Sequence, residues 1–202
     1  MINIDPSSLI GKGLHRECYV HPENKNLCIK VVVHGDSKEI QREQKYYSLL
    51  QKRNISWEVL PRFYGLVETN LGLGAVFDLI RNYDGSVSKT LEFYLVSNEK
   101  TGSHYLGLLK AINSLRKKLY QQKIITMTLK AKNIVYKKTN HEEGRLIIID
   151  NIGNSDLIPI CNYNAFMAGK KILRKWKRFE NNLLNKYAHN EALHRMLTSS
   201  HR

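Results

Sequence analysis

Cysteine, proline and tryptophan are scarce in the sequence: its 202 residues include three cysteines, four prolines and two tryptophans. The three cysteines, Cys18, Cys28 and Cys161, form no CxxC pair, which argues against a disulfide framework and against a cysteine zinc site. No apolar run approaches the roughly 20 residues that a membrane-spanning helix needs, and no secretory signal is recognisable. We therefore expect a cytoplasmic protein without a transmembrane segment.

Acidic residues are also scarce, since 18 Asp and Glu stand against 32 Lys and Arg, a formal net charge of +14. The excess is uneven along the chain. Residues 110–138 hold nine basic residues and no acid, residues 161–202 hold nine basic residues and two acids, and the remainder has a net charge of −2. A surplus of this kind predicts an anionic partner such as nucleic acid, a nucleotide or a phospholipid surface. A solvated basic face is the alternative.

Apolar residues are sufficient for a hydrophobic core, because 42% of the chain is hydrophobic and 25% is charged. Strand patterns dominate the first half and helical periodicity dominates after residue 100. We predict an α+β fold in one domain, with a sheet-rich lobe over about residues 1–82 and a reduced helical lobe over about residues 83–202. The predicted strands lie within 8–34, 63–68, 73–80, 133–136 and 146–149, helices are predicted over 38–53 and 105–120, and the pattern is helical from about 164 to 196.

The first pattern that carries chemistry lies in the predicted sheet-rich lobe. Gly11-x-Gly13 lacks the third glycine of a phosphate loop, and a purely structural turn is the alternative. Lys30 interrupts an apolar run, so its side chain either reaches water at a sheet edge or points inward at an anion. Glu43 follows in the next predicted helix, either as an exposed residue or as the carboxylate that holds Lys30.

The order of these parts resembles the protein-kinase-like fold: a glycine turn, a lysine in a strand, a glutamate in the next helix, a hairpin, a helix, a loop with asparagine and a strand ending in aspartate. The resemblance implies that Gly11 and Gly13 cover the phosphates of ATP, that Lys30 contacts those phosphates and that Glu43 is its ion-pair partner.

The same resemblance extends to a hinge segment after the hairpin. Phe77-Asp-Leu-Ile80 looks like the segment that receives adenine through backbone hydrogen bonds. It implies that Phe77, Asp78 and Leu79 contact the base of a nucleotide bound between the two lobes.

The later motifs match the catalytic loop and the metal-binding strand of kinases. Thr126-Met-Thr-Leu-Lys-Ala-Lys-Asn133 lines up with the H-R-D-L-x-x-x-N loop, and Ile147-Ile-Ile-Asp150 lines up with the strand and Asp of the D-F-G segment. The resemblance implies Mg²⁺ ligands at Asn133 and Asp150, whose oxygens suit a hard cation. Lys130 would flank the phosphate-acceptor side.

A narrower resemblance covers nearly the whole chain. The Asn-Lys-Asn-Leu-Cys-Ile-Lys-Val run at 24–31, the Arg-Glu-Gln-Lys-Tyr-Tyr segment at 42–47 and the Thr-x-x-Leu-x-x-x-Asn-Ile loop look like the bacterial YrbL family. That family is known as PhoP regulatory network proteins and belongs to the kinase-like clan. It implies a link to a two-component regulatory network, without a defined substrate.

The sequence departs from active protein kinases at the residue that matters most for proton transfer. Thr128 stands where the catalytic Asp is expected, and a threonine hydroxyl does not accept a proton at neutral pH as a carboxylate does. No Ala-Pro-Glu motif follows Asp150. Two alternatives remain open: a divergent small kinase with an anionic small-molecule acceptor, and a nucleotide-binding pseudokinase that acts by interaction.

A third alternative is a non-catalytic interaction protein that uses its basic C-terminal helix. Lys170, Lys171 and the Arg174–Arg178 run share that predicted helix with Ile172, Leu173, Trp176 and Phe179, which we place on the opposite side. Such a helix suits an acidic protein, an anionic lipid surface or nucleic acid. We do not expect a nucleic-acid partner, because the tryptophans do not alternate with the basic runs as in a stacking platform.

Overall fold

The structure is a computed structural model that describes residues 1–13, 15–33, 38–154 and 160–199, with residues 38–40 described by their backbone alone. The chain folds as two units. The sheet unit comprises Met1–Arg53 and Pro61–Ile80, and the helical unit comprises Asn54–Leu60 and Arg81–Arg202. The architecture is mixed α+β, as the sequence predicts. The single domain with a lobe boundary near residue 82 stays a prediction.

The strands and helices of the described residues follow the predicted order. The strands are β1 (Leu9–Lys12), β2 (Arg16–Val20), β3 (Leu27–Val32), β4 (Phe63–Thr69), β5 (Gly72–Asp78), β6 (Ile134–Lys138) and β7 (Gly144–Ile148). The helices are α1 (Lys38–Lys52), α2 (Leu91–Leu95), α3 (Asn98–Ser103), α4 (Tyr105–Gln121), α5 (Ala165–Lys186) and α6 (Glu191–Ser199). In this part of the chain no helix is both long enough and apolar enough to cross a lipid bilayer.

The sheet unit is built on one antiparallel sheet with the strand order β1-β2-β3-β5-β4. After β3 the chain forms α1 and then returns to the sheet as the β4–β5 hairpin, in which β5 pairs with β3. The register sets Lys30 opposite Cys18 on β2 and opposite Ala75 on β5. Lys30 is therefore in the central strand and not at a sheet edge.

One face of this sheet is a hydrophobic core covered by the N-terminal segment. Ile29 and Val31 are fully buried and pack with the clustered residues Ile4, Tyr19 and Val76. The Asn70 side chain holds the covering segment, since its Oδ1 accepts from the Ile4 amide at 2.7 Å and its Nδ2 donates to the Ile4 carbonyl at 3.1 Å. Burying each aliphatic side chain here contributes about 1.5–3 kcal/mol.

The opposite face of the sheet is covered by α1. Tyr47 of α1 packs against Phe77 of β5 with ring centroids 5.5 Å apart and against Phe63 of β4 at 5.8 Å. Side chains alternate between the two faces of a strand, so Cys28 and Lys30 lie on this α1-covered face.

In the helical unit, α4 packs on the β6–β7 hairpin, and a glycine permits the close approach. A Cβ added at Gly107 would lie 2.3 Å from the Tyr136 hydroxyl and 2.5 Å from the Glu142 carbonyl oxygen. Tyr136 is 1% exposed, and its burial raises the pKa of its hydroxyl to about 12.

Two short helices, α2 and α3, are absent from the sequence prediction. Their five and six residues are too few to show helical periodicity. Each begins at a capping hydroxyl: Thr90 accepts from the Phe93 amide at 3.3 Å, and Ser97 accepts from the Lys100 amide at 3.3 Å.

The helical pattern over about 164–196 corresponds to two helices, α5 and α6. The chain forms α5 and α6, interrupted after Tyr187, because the buried Asn190 side chain takes the capping position of α6. Its Oδ1 accepts from the Leu193 amide at 2.9 Å, while its Nδ2 donates to the Leu95 carbonyl at 2.9 Å and to the Thr101 hydroxyl at 2.8 Å. Asn190 thus ties the turn to α2 and α3.

Candidate functional site

Lys30 is the most buried cation of the predicted nucleotide site. Its residue is only 9% exposed, in the middle of the central strand β3. Its ammonium lies 4.6 Å from the centroid of the Phe77 ring, an arrangement in which the ring face attracts the cation. Of the two alternatives for Lys30, an edge position in water and an inward orientation, the structure favours the second.

Glu43 lies on the same face of the sheet as Lys30. Cys18 pairs directly with Lys30 across β2 and β3, and Arg16 is two residues before Cys18 on β2, so Arg16, Cys18 and Lys30 share a face. The Arg16 guanidinium forms an ion pair with Glu43 of α1, which brings that carboxylate to this face. Glu43 is 6% exposed, and its Oε1 has no hydrogen-bond partner among the described residues.

The ion pair expected between Lys30 and Glu43 stays a prediction, and sequence reasoning missed Arg16. The partner that the structure gives Glu43 is Arg16 on β2. The only signal in the sequence is that Arg16 and Cys18 are two residues apart. That spacing has meaning only once the pairing of β2 with β3 is known, because register decides which face a side chain occupies.

The two predicted phosphate-loop glycines lie at the β1–β2 hairpin. Gly11 pairs with Cys18, which pairs with Lys30, so Gly11 lies two strands from Lys30 in one line of register, roughly 10 Å away. The structure gives a reason for a glycine at position 13 that involves no nucleotide. Its amide donates to the Arg16 carbonyl at 2.7 Å, and an added Cβ would lie 3.1 Å from that oxygen.

Two backbone amides of the segment predicted to receive adenine already donate hydrogen bonds within the sheet unit. The Asp78 amide donates to the Arg62 carbonyl at 3.2 Å, and the Leu79 amide donates to the Asn26 carbonyl at 2.8 Å. The Asp78 carboxylate accepts from the Arg62 amide and the Tyr64 hydroxyl, both at 2.8 Å. Phe77 belongs to the aromatic cluster with Tyr47. An adenine contact by these residues stays a prediction.

The α1-covered face also carries the Cys28 thiol. Cys28 is 4% exposed and its thiol contacts the Asp78 carbonyl at 3.7 Å. A hydrogen bond with the Cys18 thiol, followed by burial, raises the pKa of the Cys28 thiol well above its ordinary value. Cys28 is therefore a neutral thiol at physiological pH and a poor nucleophile.

The helical unit brings the two predicted metal ligands to one end of the β6–β7 hairpin. Ile134 pairs with Ile148, and beyond that pair the Ile149 amide donates to the Asn133 carbonyl at 2.9 Å. Asn133 precedes the first strand and Asp150 follows the second, so both lie at the same end. Both residues are half-buried. In the described ranges no three His, Cys, Asp or Glu side chains form a metal-binding group.

Thr128 lies beside the segment that follows Asp150. Its hydroxyl accepts a hydrogen bond from the Asn151 side-chain amide at 3.0 Å, and the Met127 amide donates to the Asn151 carbonyl at 2.7 Å. Asn151 has a φ of +59°, a left-handed conformation that asparagine tolerates better than most residues. Lys130 is exposed. The Thr128 hydroxyl is thus held by an amide donor, and sequence reasoning did not assign Asn151 this role.

Two lysines of α5 also bind this region. Their contacts correct the prediction of which side of α5 is basic and which is apolar. The Lys175 ammonium donates to the Met127 carbonyl. Lys171, predicted on the basic side of the helix, is 5% exposed and donates to the Asn154 side chain. Leu173, predicted on the apolar side, is 43% exposed. Helical periodicity indicates that α5 has a polar and an apolar side. It does not show where the boundary between the two sides lies, because that depends on the elements against which α5 packs.

Together these features define a mixed α+β protein that carries a buried Lys, a buried Glu and a half-buried Arg on one sheet face and an Asn and Asp pair at the end of a hairpin. Residues 2–184 match the family described as PhoP regulatory network protein YrbL, and the chain belongs to that family. It is 38% identical over 182 residues to YrbL of Escherichia coli (strain K12) and, equally, of Shigella flexneri; the match covers 89% of this chain and 86% of each relative.

Proposed function

We propose that this YrbL-family chain is a kinase-like protein that binds ATP with Mg²⁺ and acts chiefly as a regulatory pseudokinase. The observation that carries the proposal is the burial of Lys30 and Glu43 on one face of the sheet, which also holds Arg16. In protein kinases the phosphate-contacting lysine lies on the third strand and works with a glutamate of the next helix. Lys30 on β3 and Glu43 on α1 follow that order.

Burial of these charges is difficult to explain by stability alone. Removing ionised groups from water costs several kcal/mol per ion, and a buried pair seldom stabilises a fold more than apolar residues of similar size. Charged side chains that are buried together, away from water, are typical of functional sites. In this proposal Lys30 binds the phosphates of the nucleotide, and Glu43, held by Arg16, adds the negative charge that keeps the cations in place.

The Asn133 and Asp150 side chains fit a magnesium ion. Mg²⁺ is usually bound through one or two carboxylates, with waters and substrate phosphates completing its octahedral shell, and this pair offers one carboxylate and one amide oxygen. When bound, the ion neutralises charge on the β- and γ-phosphates. Thr128 supplies a hydroxyl but no base, and loss of a general base slows catalysis about 10²–10⁴-fold. Slow or absent phosphoryl transfer is therefore expected.

Isothermal titration of the pure protein with Mg-ATP tests nucleotide binding. Lys30→Met retains the length of the side chain and removes its charge. A charged hydrogen bond is worth about 1.5–3 kcal/mol, so the affinity should fall roughly 10- to 150-fold. Lys45→Met is the matched control, because Lys45 is exposed on α1 and its loss should change affinity less than twofold. No binding at millimolar nucleotide, or equal affinity of Lys30→Met and wild type, would refute the proposal.

A turnover assay on the same preparations separates a pseudokinase from a divergent kinase. ADP release is expected to be undetectable or very slow in the wild type. Thr128→Asp should raise it at least about tenfold if the missing base limits the reaction. Rapid ADP release by the wild type that Asp150→Ala abolishes would instead identify an active kinase. Tight binding with no turnover in either protein supports the regulatory role.

A further inference from the structure

We propose that the helical unit carries a docking groove for an acidic amphipathic helix of a partner protein, independently of any nucleotide. The groove lies among α4, α5 and α6 and has a volume of about 480 Å³. Residues of all three helices line it, among them Arg116 of α4, Leu173 and Leu184 of α5 and Leu197 of α6. All three helices belong to the helical unit, so the groove is a feature of that unit alone.

The floor of the groove is apolar. Trp176 and Leu197 are 1% and 3% exposed and form its base, whereas Leu173 on the rim is 43% exposed. Phe166 and Met167 of α5 are also exposed, but of these three apolar residues it is Leu173 that lines the groove, where it is a contact available to a partner. Covering it would add to the hydrophobic contribution of the floor.

The rim of the groove is positively charged. Arg116, Lys117 and Lys177 line this groove or the adjoining depression, and in the part of the chain that the structure describes none of the three has an ion-pair partner. The acidic side chain among the lining residues, Glu180, is 6% exposed and turned inward, where its carboxylate accepts from the Trp176 indole at 2.7 Å. An occupant of complementary charge is therefore acidic.

The shape of the groove favours a helix over a small molecule. A second depression of about 230 Å³ adjoins it and shares Arg116 and Leu173 with it, so the two form one elongated surface. Along α5 the lining runs from Leu173 to Leu184, roughly 16 Å at 1.5 Å per residue, or three helical turns. Grooves of this kind receive the apolar face of a helix through residues at i, i+3, i+4 and i+7.

The recessed floor also argues against the other anionic partners. A lipid surface or a DNA backbone would contact the cations of the rim but would leave the apolar recess between the helices unfilled. An acidic helix satisfies both parts, because its apolar side chains enter the groove while its carboxylates reach Arg116, Lys117 and Lys177.

The test uses a fluorescein-labelled peptide of about 15 residues, near the length at which isolated helices become marginally stable, with leucines at i, i+3, i+4 and i+7 and glutamates elsewhere. Its anisotropy is titrated with the full chain. Saturable binding with a Kd of about 10 µM or tighter is expected, and a peptide of the same composition with scattered leucines should bind at least tenfold more weakly. Lys177→Glu and Leu173→Ser should each weaken binding about tenfold or more, since they remove a charge and an apolar contact from the rim.

Arg174→Glu is the matched control, because Arg174 is an exposed cation of the same helix outside the groove lining. It should change the Kd less than threefold, and circular dichroism should show that all variants are folded. The proposal is overturned if no peptide binds, if the scattered peptide binds equally well, or if Arg174→Glu weakens binding as much as Lys177→Glu. It is also overturned if phosphatidylglycerol vesicles capture the chain through Lys177 while the peptides do not bind.

Discussion

Replacing Arg16 with methionine should destabilise the sheet unit, because it leaves the Glu43 carboxylate buried beside an apolar side chain. The side chains of Arg16 and Glu43 are 14% and 7% exposed, so neither ion of the pair is well solvated. Removing one partner of a buried ion pair costs about 3–5 kcal/mol. The Lys30 ammonium on the same face offsets part of that loss, and we expect a decrease of about 2–3 kcal/mol in the free energy of unfolding.

The reciprocal change should cost less. Glu43→Gln removes the negative charge and keeps an oxygen that accepts from Arg16, whose side chain is the more exposed of the two, so a loss of about 1 kcal/mol is expected. In the double variant the uncompensated carboxylate is gone, and the coupling free energy between the two positions should be about 1–2 kcal/mol. A parallel cycle between Lys30→Met and Glu43→Gln measures whether Lys30 is also coupled to Glu43.

Hydrogen exchange followed by mass spectrometry is the appropriate measurement. Both tryptophans, Trp57 and Trp176, lie in the helical unit, so tryptophan fluorescence would not report on the affected sheet. Amides of α1 and β2 should exchange roughly 30- to 150-fold faster in Arg16→Met. Additive single effects in the Arg16 cycle, together with strong coupling in the Lys30 cycle, would show that Lys30 and not Arg16 holds Glu43.

Two further predictions concern the helical unit. Lys186 hydrogen-bonds Glu92 and holds the pKa of that carboxyl below its ordinary value of 4.5; this stabilisation is present above the unfolded pKa and is lost as pH falls through the folded pKa. Because Lys186 is 61% exposed, Glu92→Gln should cost only about 0.5 kcal/mol at pH 7. In urea unfolding the difference between the variant and the wild type should shrink as the pH falls below 4.5. A difference that does not shrink would contradict the ion pair. Gly107→Ala should lower the free energy of unfolding by about 1–3 kcal/mol, because its Cβ overpacks against the Tyr136 hydroxyl. Gly102→Ala is the control, since its Cβ meets open space, and it should not destabilise the protein. Equal melting temperatures of the two variants would show that the Tyr136 side chain moves aside at no cost.

The secondary structure could be predicted where periodicity extends over enough residues. Helix α4 and the strands β3 and β5 lie close to their predicted positions because their apolar residues repeat over several turns or pleats. The interruption between α5 and α6 could not be predicted in this way. It depends on Asn190, whose side chain bonds to α2 and α3 about 90 residues earlier in the chain, and no local pattern indicates such a partner.

The candidate site shows the same division. By itself the sequence determined the family, the α+β class and the residue types that suit a nucleotide and a magnesium ion, since residue order and chemistry are properties of the chain alone. Only the tertiary structure decided that Arg16 pairs with Glu43, that Asn151 binds the Thr128 hydroxyl, and that Lys171 is buried while Leu173 is exposed. Each of these depends on strand register or on the neighbour that a helix meets, and a shift of one residue in register would turn every side chain of a strand to the other face.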